Sequence, residues 1–296
     1  MFATPALAVA ALLIAQPPAA PKFEIKDGDR IVWIGNTLIE REQRYGYWET
    51  ALHAAFPKVN FTLRNLGWSG DTVFGEARAA FDPPSKGYER LVSLTLELKP
   101  TVIFVSYGTN ESFEGEAGLP KFVKGLEKLL DALKPANARI VLFTPIRFGK
   151  SPSLTDPKPR NTMLSGYDAV IRKVGTARGL TIAELGVENL CIADALTDNG
   201  IHLNEQGYKD LATGFLGSLG ANPFAATDSR TLEPLRKAIV EKNQLFFYKW
   251  RPQNDTYLFG FRKHEQGKNA KEIVEFDPLV AAVEAEIETL RKSLIK

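Results

Sequence analysis

Cysteine is almost missing from this 296-residue chain: Cys191 stands alone, so no intrachain disulfide can form. A single free thiol neither requires nor excludes an oxidising compartment. Histidine is nearly as scarce, with His53, His202 and His264 far apart. Three scattered histidines and one cysteine give no metal-ligand spacing, so no metal is expected. A Walker lysine motif and a glycine fingerprint after the first strand are both missing, and no cofactor is expected. Charge of one sign is lacking too: 37 Lys and Arg face 35 Asp and Glu, a formal net charge of +2. That balance gives no global pull toward nucleic acid or a membrane surface. The apolar run Ala6–Ala15 falls short of the roughly 20 residues that a spanning helix needs. With Gln16-Pro17-Pro18-Ala19-Ala20 after it, the run reads as the core and processing region of a signal peptide, although Met1–Pro5 carries no Lys or Arg. Residues 1–20 are therefore expected to direct export, to a periplasmic or secreted location.

What is present is an ordinary globular composition, 44% hydrophobic and 24% charged. Arg30–Gly35, Thr101–Ser106 and Arg139–Thr144 contain near-continuous apolar runs, which suit central parallel strands covered on both faces. Val59, Phe61 and Leu63 alternate with polar residues, as nearer a sheet edge, and Gly179–Leu185 is a weaker fifth strand. Helical spacings lie between them: Trp48, Leu52 and Phe56; Phe122, Leu126, Leu129 and Leu133; Leu164, Tyr167, Ile171 and Val174; Tyr208, Leu211 and Phe215. His53 is expected on the polar flank of its helix. The β-α alternation predicts an α/β domain over 21–220, with helices on both faces of a parallel sheet. The loop Thr144–Asn161 reads as a long excursion at a strand end, where loops shape binding sites.

After residue 220 the alternation stops. Thr231–Lys242 is predicted to be helical. Phe246–Pro252 and Tyr257–Arg262 are dense in aromatics and cations. A last helix is expected from Asp277-Pro278, an N-cap and N1 pair. Its seam of Val280, Val283, Ile287, Leu290 and Leu294 spans only two heptads, which favours packing onto the main domain over a free coiled coil.

Four polar motifs fall at strand ends or near the close of the repeat: Gly35-Asn36-Thr37, Asn65-Leu66-Gly67-Trp68-Ser69-Gly70-Asp71, Gly108-Thr109-Asn110 and Asp198-Asn199-Gly200-Ile201-His202. Open α/β sheets bind ligands outside the carboxyl ends of their strands, so the four suggest one composite site. On these motifs, in this order, the chain resembles the SGNH, or GDSL-type, hydrolases over residues 28–218. The resemblance implies a three-layer, flavodoxin-like fold and hydrolysis of ester-linked acyl groups. It also implies Thr37 at the nucleophile position, Gly70 and Asn110 as oxyanion donors, and His202 as base.

Two positions depart from the family pattern. Gly-Asp-Ser reads Gly35-Asn36-Thr37, and the aspartate three residues before the histidine reads Asn199. Thr37 carries a hydroxyl, but its methyl restricts χ1; the competing role is to cap the following helix. Gly70 and Asn110 compete with simple turn and loop-bonding roles, and Asp71 and Glu111 flank them. Behind His202 the supporting group is Asn199, or Asp198 turned inward, or nothing at all in a Thr-His dyad. The extension adds Trp250, Tyr257, Phe259 and Phe261 with Arg251, Arg262 and Lys263. These suit a sugar or acidic-glycan site, or else pack as a strand pair on the main domain. His264 is expected to be exposed or structural. The expected partner is a small ester or an acylated carbohydrate. The alternative is a catalytically impaired protein of the same fold that binds a glycan or acyl ligand.

Overall fold

The computed structural model describes residues 23–185, 194–226 and 228–295. The expected signal peptide and Cys191 lie outside them. Five strands form one parallel sheet: β1 (Asp29–Gly35), β2 (Phe61–Asn65), β3 (Val102–Ser106), β4 (Arg139–Phe143) and β5 (Thr181–Ala183). Their order is β2-β1-β3-β4-β5. The chain moves outward from β1 to β2, then returns to the other side of β1 for β3. That reversal opens a crevice at the carboxyl ends of β1 and β3, the usual ligand position of such sheets.

The apolar runs are buried on both faces, as their continuity predicts. On one face Trp33 of β1 stacks against Trp48 of α2 (Tyr47–Ala55) and Phe215 of α6 (Glu205–Ser218), at ring separations of 5.9 and 5.3 Å. On the other, Val32, Ile34, Ile103 and Val105 pack with Leu91 of α3 (Pro84–Glu97), Phe122 and Leu126 of α4 (Leu119–Leu133), and Tyr167 of α5 (Lys158–Ala177). The short helix α1 (Thr37–Tyr45) leaves the end of β1 directly.

The extension is mostly helical, as expected. The aromatics of 246–250 are not in a strand: they continue α7, which runs from Ser229 to Trp250, well past the predicted end at Lys242. Two single turns, α8 (Asp255–Leu258) and α9 (Lys263–Gln266), hold Tyr257 and His264. His264 is exposed. The last helix, α10 (Phe276–Lys292), starts one residue before Asp277, and its Val283 and Ile287 pack on Leu235, Ala238 and Ile239 of α7. The two-heptad seam thus closes on α7.

His53 is not on a polar flank. It is 3% exposed and stacks on Phe61 with ring centroids 4.2 Å apart. The reason is that α7 covers the side of α2 that a bare α/β domain would leave wet. Lys242 donates to Glu49 Oε1 at 2.6 Å and to the Leu63 carbonyl at 2.9 Å, and Asn243 donates to Glu49 Oε2 at 3.2 Å. A buried charge needs such partners. Among the described residues, no helix is long and apolar enough to cross a membrane, and no group of three or more metal-ligating side chains is found.

Candidate active site

At the end of β1, a Cβ on Gly35 would lie 2.7 Å from the Ser106 carbonyl, so the two strands can close up only with glycine there. The next residue, Asn36, caps α1 by accepting the Leu38 N–H at 3.1 Å. The capping role considered for Thr37 therefore belongs to Asn36. Thr37 takes the first helical position, and its Oγ1 accepts the Gly70 N–H at 3.1 Å.

Gly70 lies on the loop after β2, and that loop is pinned from several sides. Asn65 donates to the Ile39 carbonyl at 2.6 Å and accepts the Gly67 N–H at 2.8 Å. A Cβ on Gly67 would stand 2.2 Å from the Glu40 nitrogen, so only glycine allows the loop this close to α1. Gly70 itself has φ +77°, the left-handed region that glycine enters freely. Glu40 accepts both the N–H and the hydroxyl of Ser69, at 2.7 and 2.9 Å. Arg251, which ends α7, donates to Glu40 at 2.7 Å and lies 3.5 Å above the Trp68 ring. Trp250 and Arg251 of the aromatic extension thus meet the loop that carries Gly70, with the Trp250 and Trp68 rings 5.7 Å apart. Phe261, by contrast, is exposed and meets Phe81, and Arg262 pairs with Glu265.

Beneath the loop, Asp71 and Arg78 form a fully buried ion pair at 2.7 Å. Tyr107 donates to the same carboxylate oxygen at 2.9 Å, and Arg78 also donates to the Leu66 carbonyl at 2.9 Å. Burial pushes the Asp71 carboxyl up, while Arg78 and Tyr107 pull it down. Asn110, on the loop after β3, donates one amide hydrogen to the Asp71 carbonyl at 2.7 Å, which leaves the second for another acceptor. Glu111 joins the two loops by accepting the Val73 N–H at 2.9 Å and the Gly108 N–H at 2.8 Å. Burial raises its pKa to about 7.

The histidine side is built differently. An antiparallel bridge between Thr197 and Leu203 closes the turn that holds Asp198–His202. Asn199 Oδ1 accepts the N–H groups of Ile201 and His202, at 3.1 and 2.9 Å. Its Nδ2 lies 3.2 Å from His202 Nδ1. Asp198 does not turn inward: it pairs with Arg41 of α1, and half of its side chain is exposed. Burial, and then the Arg41 charge, hold His202 below its ordinary pKa of 6.5.

Thr37, Arg41, Asn110, Ile146, Ile201 and His202 line one cleft, with Gly70 hydrogen-bonded to Thr37 beside it. Ile146 comes from the long loop after β4. No hydrogen bond joins Thr37 to His202. The sequence reading missed Arg41, Glu40 and Arg78. Arg41 had a signal, since it sits one helical turn beyond Thr37 and faces the same way. Glu40 is tied to Arg251, 211 residues away, and nothing in local spacing marks that pair.

Residues 28–209 match the model of the GDSL-like lipase/acylhydrolase family. The chain belongs to that family. An acetylxylan esterase of Xylanibacter ruminicola is 27% identical over 219 residues, which cover 65% of this chain and 43% of that protein. The match thus spans less than half the length of that relative. Among solved structures, a gut microbial diltiazem-metabolizing enzyme superposes with a TM-score of 0.65 at 12% identity, covering 92% of this chain and 97% of its own. Such coverage reaches into the C-terminal extension. The acetylxylan esterase Axe2 of Geobacillus stearothermophilus gives a TM-score of 0.51 at 20% identity, over 67% of this chain and 97% of its own. These likenesses support the three-layer fold.

Proposed function

We propose that this protein hydrolyses ester-linked acyl groups on a carbohydrate, with acetyl as the preferred acyl class. Thr37 is the nucleophile, His202 the proton acceptor, and the Gly70 N–H and Asn110 amide the oxyanion donors. One observation carries this reading: Thr37, Asn110 and His202 line a single cleft, and the Gly70 N–H already points at the Thr37 hydroxyl. Acyl transfer needs a nucleophile, a base and donors aimed at the developing oxyanion. Thr37 Oγ1 attacks the acyl carbon and its proton passes to His202 Nε2. The carbonyl oxygen becomes an oxyanion, which takes the Gly70 N–H away from the Thr37 hydroxyl and accepts the free Asn110 hydrogen. As the intermediate collapses, His202 returns the proton to the departing alcohol. Water then repeats the sequence on the acyl-threonine.

The acetyl and carbohydrate preferences follow the two acetylxylan esterases to which the chain is similar. We place the activity outside the cytoplasm because of the signal-like run Ala6–Ala15; the N-terminal residue of the protein recovered from its native host tests this. The catalytic reading is tested by turnover of 4-nitrophenyl acetate and an acetylated xylo-oligosaccharide. Thr37→Ala and His202→Ala are each expected to lower kcat by at least about 10²-fold, the usual scale for a nucleophile or general base. Turnover that survives both changes removes the assignment.

A further inference from the structure

Resting on that reading, we propose that Asn199 is a positioning residue that holds His202 in the Nε2–H tautomer and thereby throttles turnover. The base nitrogen then carries a proton where the reaction needs a lone pair.

The direction in which the Asn199 amide faces is fixed by its partners. Two backbone N–H groups, those of Ile201 and His202, point at one end of the amide, at 3.1 and 2.9 Å. Only the carbonyl oxygen can accept both, so that end is Oδ1. Turning the amide over would set an NH₂ group against two N–H donors and lose both bonds. The NH₂ end therefore faces His202 Nδ1, 3.2 Å away. An NH₂ group only donates, so Nδ1 accepts, and the single proton of the neutral ring resides on Nε2.

An aspartate at this position would make the same two backbone bonds with one oxygen and offer the other to an Nδ1–H. The backbone turn suits either residue, but the two select opposite tautomers. Among the described residues no carboxylate hydrogen-bonds to the ring, because Asp198 is held by Arg41.

The consequence for the reaction can be followed proton by proton. Before Nε2 can take the Thr37 proton it must give up its own to water, while Nδ1 gains one from water and breaks the Asn199 contact. Proton transfer from Thr37 then makes an imidazolium whose Nδ1–H faces the Asn199 NH₂, donor against donor. Both the rearrangement and the charged ring are disfavoured. In the resting tautomer the ring still donates from Nε2, which suits holding an acyl carbonyl or a sugar hydroxyl. The effect therefore falls on kcat rather than on KM.

The test reads tautomer and turnover separately. Two-bond ¹H–¹⁵N spectra report which imidazole nitrogen carries the proton, and loss of one signal set in His202→Ala assigns it among three histidines. The wild-type ring is expected as Nε2–H at neutral pH. Asn199→Asp is expected to switch it to Nδ1–H and to raise kcat at least about 10²-fold with KM little changed. In serine proteases the opposite exchange, Asp to Asn, costs about 10⁴-fold with the wrong tautomer as the cause. Asn199→Ala, which removes the donor without adding a carboxylate, is expected to give a mixture of tautomers and a smaller gain. An Nδ1–H ring in the wild type overturns the proposal. So does an Asn199→Asp protein whose tautomer has switched while kcat has not risen. Failure of the hydrolase reading looks different: Thr37→Ala would then leave ester turnover unchanged in the Asn199→Asp background.

Discussion

The two walls of the cleft are built to different standards. The wall proposed to hold the oxyanion rests on fully buried charge: Arg78 and Asp71 beneath Gly70, Tyr107 on the same carboxylate, and Glu111 tying the β2 and β3 loops together. Its outer edge is closed by Glu40 and Arg251. The histidine wall has half-buried groups, a carboxylate spent on Arg41, and an amide rather than an acid beside the ring. Stabilising an oxyanion needs only fixed donors, whereas moving a proton needs the right tautomer and a countercharge. On the proposed function, backbone and packing supply the first requirement, and the second depends on one side chain. If the proposed roles hold, one substitution slows such a site while its fold and the opposite wall stay intact.

The largest effect is expected from breaking the stronger wall. Arg78→Met leaves Asp71 buried without its cation, and losing one partner of a buried pair costs about 3–5 kcal/mol. Urea denaturation at pH 7 is expected to show that loss, with ester turnover falling alongside it. A variant as stable as the wild type would mean that the buried pair does not hold this wall.

Next comes Glu111. Its folded pKa of about 7 lies above the ordinary 4.5, so the folded protein binds the extra proton between those values. The stability tied to this group is full below pH 4.5 and is lost as pH rises through 7, by up to about 3 kcal/mol. In Glu111→Gln that decline is expected to vanish, so the difference between the two stability–pH curves carries it. A difference that stays flat from pH 4.5 to 7.5 contradicts the assignment.

The smallest expected effect sharpens the view of the histidine wall. A base must be neutral, and Arg41 helps to hold His202 below 6.5, so the acid limb of kcat/KM should lie below that value. Arg41→Ala removes a nearby cation and frees the Asp198 carboxylate, and both changes move the limb to higher pH. An unmoved or lowered limb would show that the limb does not report His202.

Much of this was legible in the chain, for physical reasons. Strands buried on both faces cannot hide their apolar runs, and β1, β3 and β4 were visible as such. The site motifs were legible because they lie where the sheet places ligands, at the ends of β1, β2 and β3. What escaped depended on the extension. His53 reads as polar until α7 covers α2, and Arg251 reads as a surface cation until it reaches Trp68 and Glu40. The run Phe246–Trp250 hides its helical period because aromatics occupy both faces of α7: Phe246 packs into the core while Phe247 and Trp250 meet at 5.9 Å. The identity of Asn199 was plain from the start, but the direction of its amide follows only from the two backbone N–H groups that it accepts.

The claim beneath all of this is that the cleft forms an acyl-enzyme on Thr37. Protein mixed with 4-nitrophenyl acetate and quenched within a single turnover can be digested and mapped by mass spectrometry. An acetyl group on Thr37, absent from Thr37→Ala and gained faster in Asn199→Asp, is the predicted result. Ester hydrolysis with Thr37 never acetylated in either protein, or with the acetyl group carried by a different side chain, contradicts it.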